Sequence, residues 1–306
     1  MDGILPLYKE RGMTSHDCVF KLRKILHTKK IGHGGTLDPD VDGVLPICIG
    51  KGTKVIEYLT DSGKEYEGEI TLGFSTTTED ASGEVVAQKA VRQPLSNQAI
   101  DQMMATFIGQ ITQIPPMYSA VKVNGKRLYE YARAGQEIER PQRKADIYAF
   151  ERISEPTYNE ENQTQSWRFR VSCGKGTYVR TLAVDLGEKL AYPAHMSDLT
   201  RTQAGGMDRT QALTLTQVAQ LMEDGKFEEH LLPIEVGVKE FPRIDLTDEL
   251  YAKVRNGLPF EKEALNIPEH ATNLVALFYK DQVVSLYQPH PSKANIWKPS
   301  KVLRNE

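Results

Sequence analysis

Cysteine is scarce in this chain. There are three, Cys18, Cys48 and Cys173, far apart in 306 residues. No Cys-x-x-Cys pair and no Cys/His ligand spacing occurs, so neither a disulfide framework nor a metal site is indicated. Long apolar runs are missing too. No stretch of about eighteen apolar residues suggests a membrane span. The start, Met1-Asp2-Gly3-Ile4-Leu5, has neither the basic region nor the apolar core of a secretory signal. These absences lead to the expectation of a soluble, cytoplasmic protein. An excess of positive charge is also lacking. The formal net charge is -3, which on its own does not announce a nucleic-acid binder. The Gly-Lys-Ser/Thr of a Walker loop is absent, and no internal repeat or low-complexity segment is visible.

What is present is ordinary in bulk and unusual locally. Hydrophobic residues make up 40% and charged residues 26%, as in an ordinary globular protein, and 306 residues suffice for one large domain plus a small one, or two medium ones. Residues 21–30 hold Lys21, Arg23, Lys24, Lys29 and Lys30 with no acid. Residues 121–144 hold seven Lys/Arg against three Glu. A local basic face suffices for phosphate contacts on an acidic protein. A solvated helix face has the same composition.

The densest signal is residues 32–46, Gly-His-Gly-Gly-Thr-Leu-Asp-Pro-Asp-Val-Asp-Gly-Val-Leu-Pro. It packs four glycines, two prolines and three aspartates into fifteen residues, and an apolar run follows at once. Proline pushes the residue before it towards extended backbone, so Asp38 before Pro39 belongs outside a helix. The stretch reads as a rigid loop entering a buried strand. A phosphate-binding glycine loop, a plain turn and a carboxylate nucleophile at Asp38 all fit that reading.

Gly-His-x-Gly-Thr-Leu-Asp-Pro followed by Gly-Val-Leu-Pro resembles the catalytic motif of the bacterial tRNA pseudouridine synthases that modify the T-arm uridine at position 55 (the TruB family). Lys64-Glu65-Tyr66, Ile114-Pro115-Pro116-Met117-Tyr118-Ser119-Ala120-Val121-Lys122, Gly125-Lys126-Arg127-Leu128-Tyr129-Glu130-Tyr131-Ala132-Arg133 and Gly174-Lys175-Gly176-Thr177-Tyr178-Val179-Arg180-Thr181 look like later motifs of that family, in order. The resemblance spans essentially the whole chain. Two departures stand out: Glu10 replaces the usual proline after Lys9, and Val41-Asp42 is less usual.

Periodicity supplies the elements. Residues 3–8 read as a strand, and Ser15 as the cap of a helix carrying Val19, Leu22, Ile25 and Leu26 on one face. The loop and its strand are expected to run to about Leu59. Further strands are expected over 66–73, 145–153, 167–173 and 197–206. Helices are expected after Ser96, from Tyr178 to about Leu190, and over 216–222. After a change near 238–242 come a helix capped by Thr247 and a hairpin of 274–279 with 283–287. The resulting fold class is α+β: a mixed, mostly antiparallel sheet flanked by helices. The resemblance implies a catalytic domain over 1–238, with a basic and aromatic RNA-binding arm near 115–144. It implies a small PUA-like β-barrel over 239–306.

The resemblance also implies roles. Asp38 would be the catalytic nucleophile and Arg180 its partner. Tyr66 would stack on the flipped uracil, and Tyr178 and Leu199 would line its pocket. His33 would insert where the base had been. Lys9 matches a lysine near the active site, and Tyr118, Lys122, Lys126, Arg127 and Tyr129 are candidate RNA contacts. The implied partner is the tRNA T-arm. The expected protein is a monomer with no obligate protein partner, no cofactor and no metal. An RNA-folding chaperone with secondary catalysis would use the same surface. A guide-RNA-dependent synthase subunit is the other alternative, against which the lack of a basic tail argues.

Overall fold

The computed structural model describes residues 1–305. They form two compact units, neither of them a continuous stretch. One comprises Met1–Pro39, Val44–Thr60 and the chain from Gly205 on; the other comprises Asp40–Gly43 and Asp61–Ala204.

The chain opens with β1 (Gly3–Lys9), α1 (Ser15–Ile25), β2 (Ile31–His33) and β3 (Asp42–Ile49). The cap of α1 is Thr14, not the expected Ser15. Three residues on from Thr14 lies Asp17, and each side chain accepts the other's backbone N–H, at 3.0 and 2.9 Å. Three residues on from Ser15 lies Cys18, which offers no such acceptor. The reciprocal pair decides where the helix starts. Cys18, Val19 and Leu22 turn inward, while Phe20, Lys21 and Lys24 are exposed. β2 runs antiparallel to β3, with His33 opposite Ile47. Beyond β3 the expected extended chain is instead a 3-10 turn, Gly50–Val55, and a short helix α2 (Ile56–Asp61). Val55, ending the turn, and Leu59 of α2 are both buried and stand four residues apart, which is helical spacing.

The second unit is built on a mixed, mostly antiparallel sheet. Its elements are β4 (Lys64–Leu72), β5 (Phe74–Thr76), β6 (Val85–Gln88), α3 (Asn97–Ala105), β7 (Gly109–Gln113), β8 (Lys122–Val123), β9 (Lys126–Arg127), α4 (Leu128–Arg133), β10 (Arg143–Arg152), β11 (Thr157–Asn159), β12 (Thr164–Cys173), α5 (Val179–Lys189) and β13 (Ala194–Ala204). The central order is β13-β4-β12-β10-β7, every neighbour antiparallel. The first residues of β3 add a parallel pair, Asp42 and Gly43 opposite Thr200 and Arg201. Only glycine fits at 43. Its φ is +114°, and a Cβ there would collide with the Arg201 carbonyl. On β12 every second residue from Gln165 to Cys173 is buried, the period of a strand with one face in the core. Phe107, Phe150 and Phe169 meet edge to face there, and α5 packs on β13.

The remainder holds β14 (Met207–Asp208), α6 (Leu215–Glu223), β15 (Arg243–Asp245), α7 (Asp248–Val254), β16 (Phe260–Glu261), β17 (Val275–Tyr279), β18 (Gln282–Pro289) and β19 (Ile296–Val302). Thr247 caps α7 as expected, its side chain accepting from the Leu250 N–H. The β17–β18 hairpin turns on Lys280 and Asp281, both at positive φ, as a tight twisted hairpin requires. The sheet order is β15-β17-β18-β19-β16. It closes over its own core, which includes Val254, Leu265, Leu277, Tyr287 and Trp297. The Lys54 ammonium donates to the Val302 and Leu303 carbonyls at 2.8 and 3.2 Å, fastening this sheet to the rest of its unit. The α+β class with a curled, PUA-like C-terminal sheet is thus the fold the chain adopts.

Candidate active site

The loop between β2 and β3 is fixed on either side of Asp38. Leu37, buried, donates its N–H to the Ser15 hydroxyl at 2.9 Å and accepts from the same hydroxyl at 3.2 Å. Pro39 offers only a carbonyl, and that accepts from the Lys9 ammonium and from the Gly12 N–H, both at 3.0 Å. Lys9 has no exposed surface. Its ammonium also donates to the carbonyl of its neighbour Glu10, at 3.1 Å. Further back, the Gly34 N–H donates to the Pro46 carbonyl at 2.8 Å. Asp38 is half-buried, and His33, also half-buried, ends β2. A carboxylate held between two anchored residues loses little freedom when it reacts.

The other candidate residues stand on the sheet and on the start of α5. Tyr66 on β4 faces Arg201 of β13, and Leu199 of β13 faces Gly68 of β4. A side chain at 68 would press on Leu199 Cδ1, so the glycine leaves Leu199 its space. Tyr66 and Leu199 are both buried. Tyr178 is the N-cap residue of α5, in extended conformation, and its own side chain makes no capping bond. The Gln113 side chain serves it instead. The Gln113 amide oxygen accepts from the Tyr178 N–H at 3.0 Å, and its amide nitrogen donates to the Tyr178 carbonyl at 3.1 Å.

Arg180 lies in the first turn of α5 and is only 6% exposed. Its guanidinium donates to the Thr78 and Tyr118 carbonyls, both at 2.9 Å, and stands 3.8 Å from the Asp80 carboxylate. A buried cation needs such partners to offset the loss of water. Beside it, Glu79 accepts from the Thr181 hydroxyl at 2.7 Å, and burial pushes its carboxyl up despite that bond. Lys64, at the start of β4, is pulled down to about 8, chiefly by burial and then by Arg201.

The arm carries its charges outward. β8 and β9 form a two-residue ribbon, with Leu128 and Tyr131 of α4 buried behind it. Tyr118, Lys122, Lys126 and Arg127 are exposed. The Arg127 and Arg133 guanidiniums lie 5.8 and 5.2 Å from the Tyr129 ring, which presents a flat group framed by two cations. Among the described residues no cluster of His, Cys, Asp or Glu is placed to hold a metal ion. No helix there is long and apolar enough to cross a membrane.

Comparison with known proteins assigns the family. The family model for TruB family pseudouridylate synthases (N terminal domain) matches residues 23–179, and that for the tRNA pseudouridylate synthase B C-terminal domain matches residues 180–239. The chain belongs to the TruB family of pseudouridine synthases. A curated relative from Streptococcus mutans is 57% identical over 302 residues, covering 99% of both chains. One from Listeria welshimeri is 53% identical over 304 residues, covering 99% of this chain and 98% of the relative. Both are named tRNA pseudouridine synthase B. Among solved structures, a Cbf5-Nop10-Gar1 complex matches with a TM-score of 0.77 and 28% identity, over 99% of this chain and 85% of that one. TruB membership makes the protein an isomerase.

Sequence reasoning missed Ser15, Thr78, Asp80 and Gln113. The capping-box spacing frees Ser15 for another task and could have flagged it. Thr78 contributes only a backbone carbonyl, which leaves no mark in a sequence.

Proposed function

We propose that the protein converts the T-arm uridine of tRNA, position 55, to pseudouridine, with Asp38 as its catalytic carboxylate. The observation that carries this reading is the fixation of Leu37 and Pro39 on either side of Asp38. It gives the family's aspartate the rigidity that a nucleophile or a proton acceptor needs.

The reaction breaks the N1–C1′ bond, turns the uracil and makes a C5–C1′ bond. The C5 proton leaves and N1 takes one up. The change is redox-neutral and adds no water, so the protein's own groups suffice in principle. Attack of Asp38 at base C6, attack at ribose C1′, and passage through a glycal with Asp38 moving a sugar proton all use the same ionised carboxylate. Arg180 keeps that carboxylate ionised by charge pairing. Tyr66 stacks on the uracil, and Tyr178 and Leu199 line the pocket that holds it through the turn. Taking the uridine out of a stacked loop costs a few kcal/mol. His33, with a flat ring and two hydrogen-bonding nitrogens, fills the vacated place.

Tyr118, Lys122, Lys126, Arg127 and Tyr129 hold the RNA by stacking and phosphate contact. Residues 1–238 act as the catalytic domain and 239–306 as the PUA-like RNA-binding domain. The protein works as a cytoplasmic monomer on tRNA, without cofactor. The similarity to Cbf5, found in complexes with Nop10 and Gar1, raises a guide-RNA-dependent reading. The higher identity to the tRNA enzymes supports action on tRNA directly. The test is incubation of the purified protein alone with an unmodified tRNA transcript, followed by mapping of pseudouridine at each nucleotide. Product confined to the T-arm uridine is expected. No product, or product elsewhere, would overturn the proposal.

A further inference from the structure

Gln113 is the last residue of β7, opposite Arg143 of β10, and it is 2% exposed. A buried amide must find partners for its oxygen and its nitrogen. This one finds both on a single residue 65 positions away, the N–H and the C=O of Tyr178. The pairing copies one rung of a β-ladder with a side chain in place of a strand. It also fixes the amide's orientation, since only the oxygen can meet the N–H.

The peptide groups on the two sides of the Tyr178 Cα set φ and ψ there, −99° and 103°. Those angles decide where the Cα–Cβ bond points, and hence where the ring goes. The Tyr178 carbonyl also accepts the first helical bond of α5, from the Leu182 N–H at 3.0 Å. Five residues beyond Gln113, the Tyr118 carbonyl accepts from Arg180. The root of the RNA-binding arm therefore grips both Tyr178 and Arg180, two residues apart at the start of α5.

We propose that Gln113 is a positioning residue for the isomerisation: its buried amide aims the Tyr178 ring at the uracil by holding both peptide groups of Tyr178. This rests on the reading of Tyr178 as a pocket residue. Gln113 touches neither base nor sugar and acts only through Tyr178. A misplacement of about 1 Å near the reacting centre costs on the order of 100-fold in rate.

A double-mutant cycle separates this role from general bracing. Gln113→Met keeps the volume and removes both hydrogen bonds. The wild type, Gln113→Met, Tyr178→Leu and the double variant are compared by single-turnover rate at saturating tRNA, by tRNA Kd and by melting temperature. Gln113→Met should lower the rate about 10- to 100-fold and leave Kd within about 2-fold. In the Tyr178→Leu background it should cost no further rate, although it still lowers the melting temperature. Rate losses that multiply, or an unchanged rate in Gln113→Met, would overturn the proposal. If Gln113→Met does not fold, Gln113→Glu takes its place in the same cycle, keeping the acceptor for the N–H and losing the donor for the carbonyl. Tyr178→Leu turning over at the wild-type rate would instead show that Tyr178 is not a pocket residue, and the proposal would fall with that reading.

Discussion

The loop that carries Asp38 and the start of α5 are secured by one device working over different distances. At the loop, one buried hydroxyl, Ser15, holds the N–H and C=O of Leu37 from 22 residues away. At α5, one buried amide, Gln113, holds the N–H and C=O of Tyr178 from 65 residues away. In both places a neutral side chain fixes the backbone at or next to a candidate site residue. The electrostatic support differs. Lys9 brings a buried charge to the loop from 30 residues back along the chain. Arg180 is itself a buried cation, donating to carbonyls at 78 and 118, each far along the chain. The loop is a local construction and the helix start an assembled one. The assembled half is therefore expected to be the more sensitive to change at a distance.

The largest effect is expected of Arg180→Ala. It strands the carbonyls of Thr78 and Tyr118 and removes the cation proposed to pair with Asp38. Single-turnover kcat should fall by about a thousandfold, while tRNA Kd changes little. A loss of affinity alone would make Arg180 a phosphate contact. Next comes Ser15→Ala, which leaves the buried Leu37 N–H without its acceptor. That costs about 1–3 kcal/mol of loop order, so kcat should drop roughly 10-fold with Kd intact. An unchanged rate would mean the loop is rigid without Ser15.

The arm should behave in the opposite way. Lys126→Ala with Arg127→Ala should weaken tRNA binding roughly 10-fold and lower the slope of log Kd against log salt by about 1.5, with the saturated rate kept. A rate loss at saturation would place these residues nearer the chemistry than the arm reading allows.

The smallest expected effect lies further along α5. The Asp185 carboxyl is pushed up to about 6, by burial first and then by Glu188 and Glu79. The fold favours the protonated form, so stability is full below the ordinary value of 3.8 and is lost as pH rises through about 6. Asp185→Asn should leave the melting temperature unchanged near pH 4 and raise it at pH 7. Allowing for the exposed part of the side chain, the gain is roughly 1 kcal/mol.

The contrast between the two halves also explains what could be read in advance. The loop that carries Asp38 was legible because it is contiguous: the glycines, the prolines and the aspartate lie side by side. Thr247 as a cap and the hairpin were legible for the same reason, since a few adjacent residues decide each, though the turn is one residue shorter than the expected 280–282 because Gln282 pairs with Tyr279. Ser15 was misread because two hydroxyls stand together, and the choice between them depends on Asp17. The helical turn over residues 50–61 was read as extended because its apolar positions follow directly on those of β3. Gln113 was invisible. Its partners are peptide groups, which every residue has, and only the folded sheet brings β7 to the start of α5. Thr78 and Tyr118 as acceptors for Arg180 were hidden in the same way.

The central claim is that the loop carries the chemistry and the assembled half orients the base. Asp38→Asn tests it most directly. Asparagine keeps the size and shape at 38 and removes the ionisable carboxylate. The variant is mixed with unmodified tRNA, and pseudouridine at the T-arm uridine is followed under single-turnover conditions beside a titration of tRNA binding. The account predicts no product together with a Kd like that of the wild type. Appreciable turnover by the bound variant would contradict it.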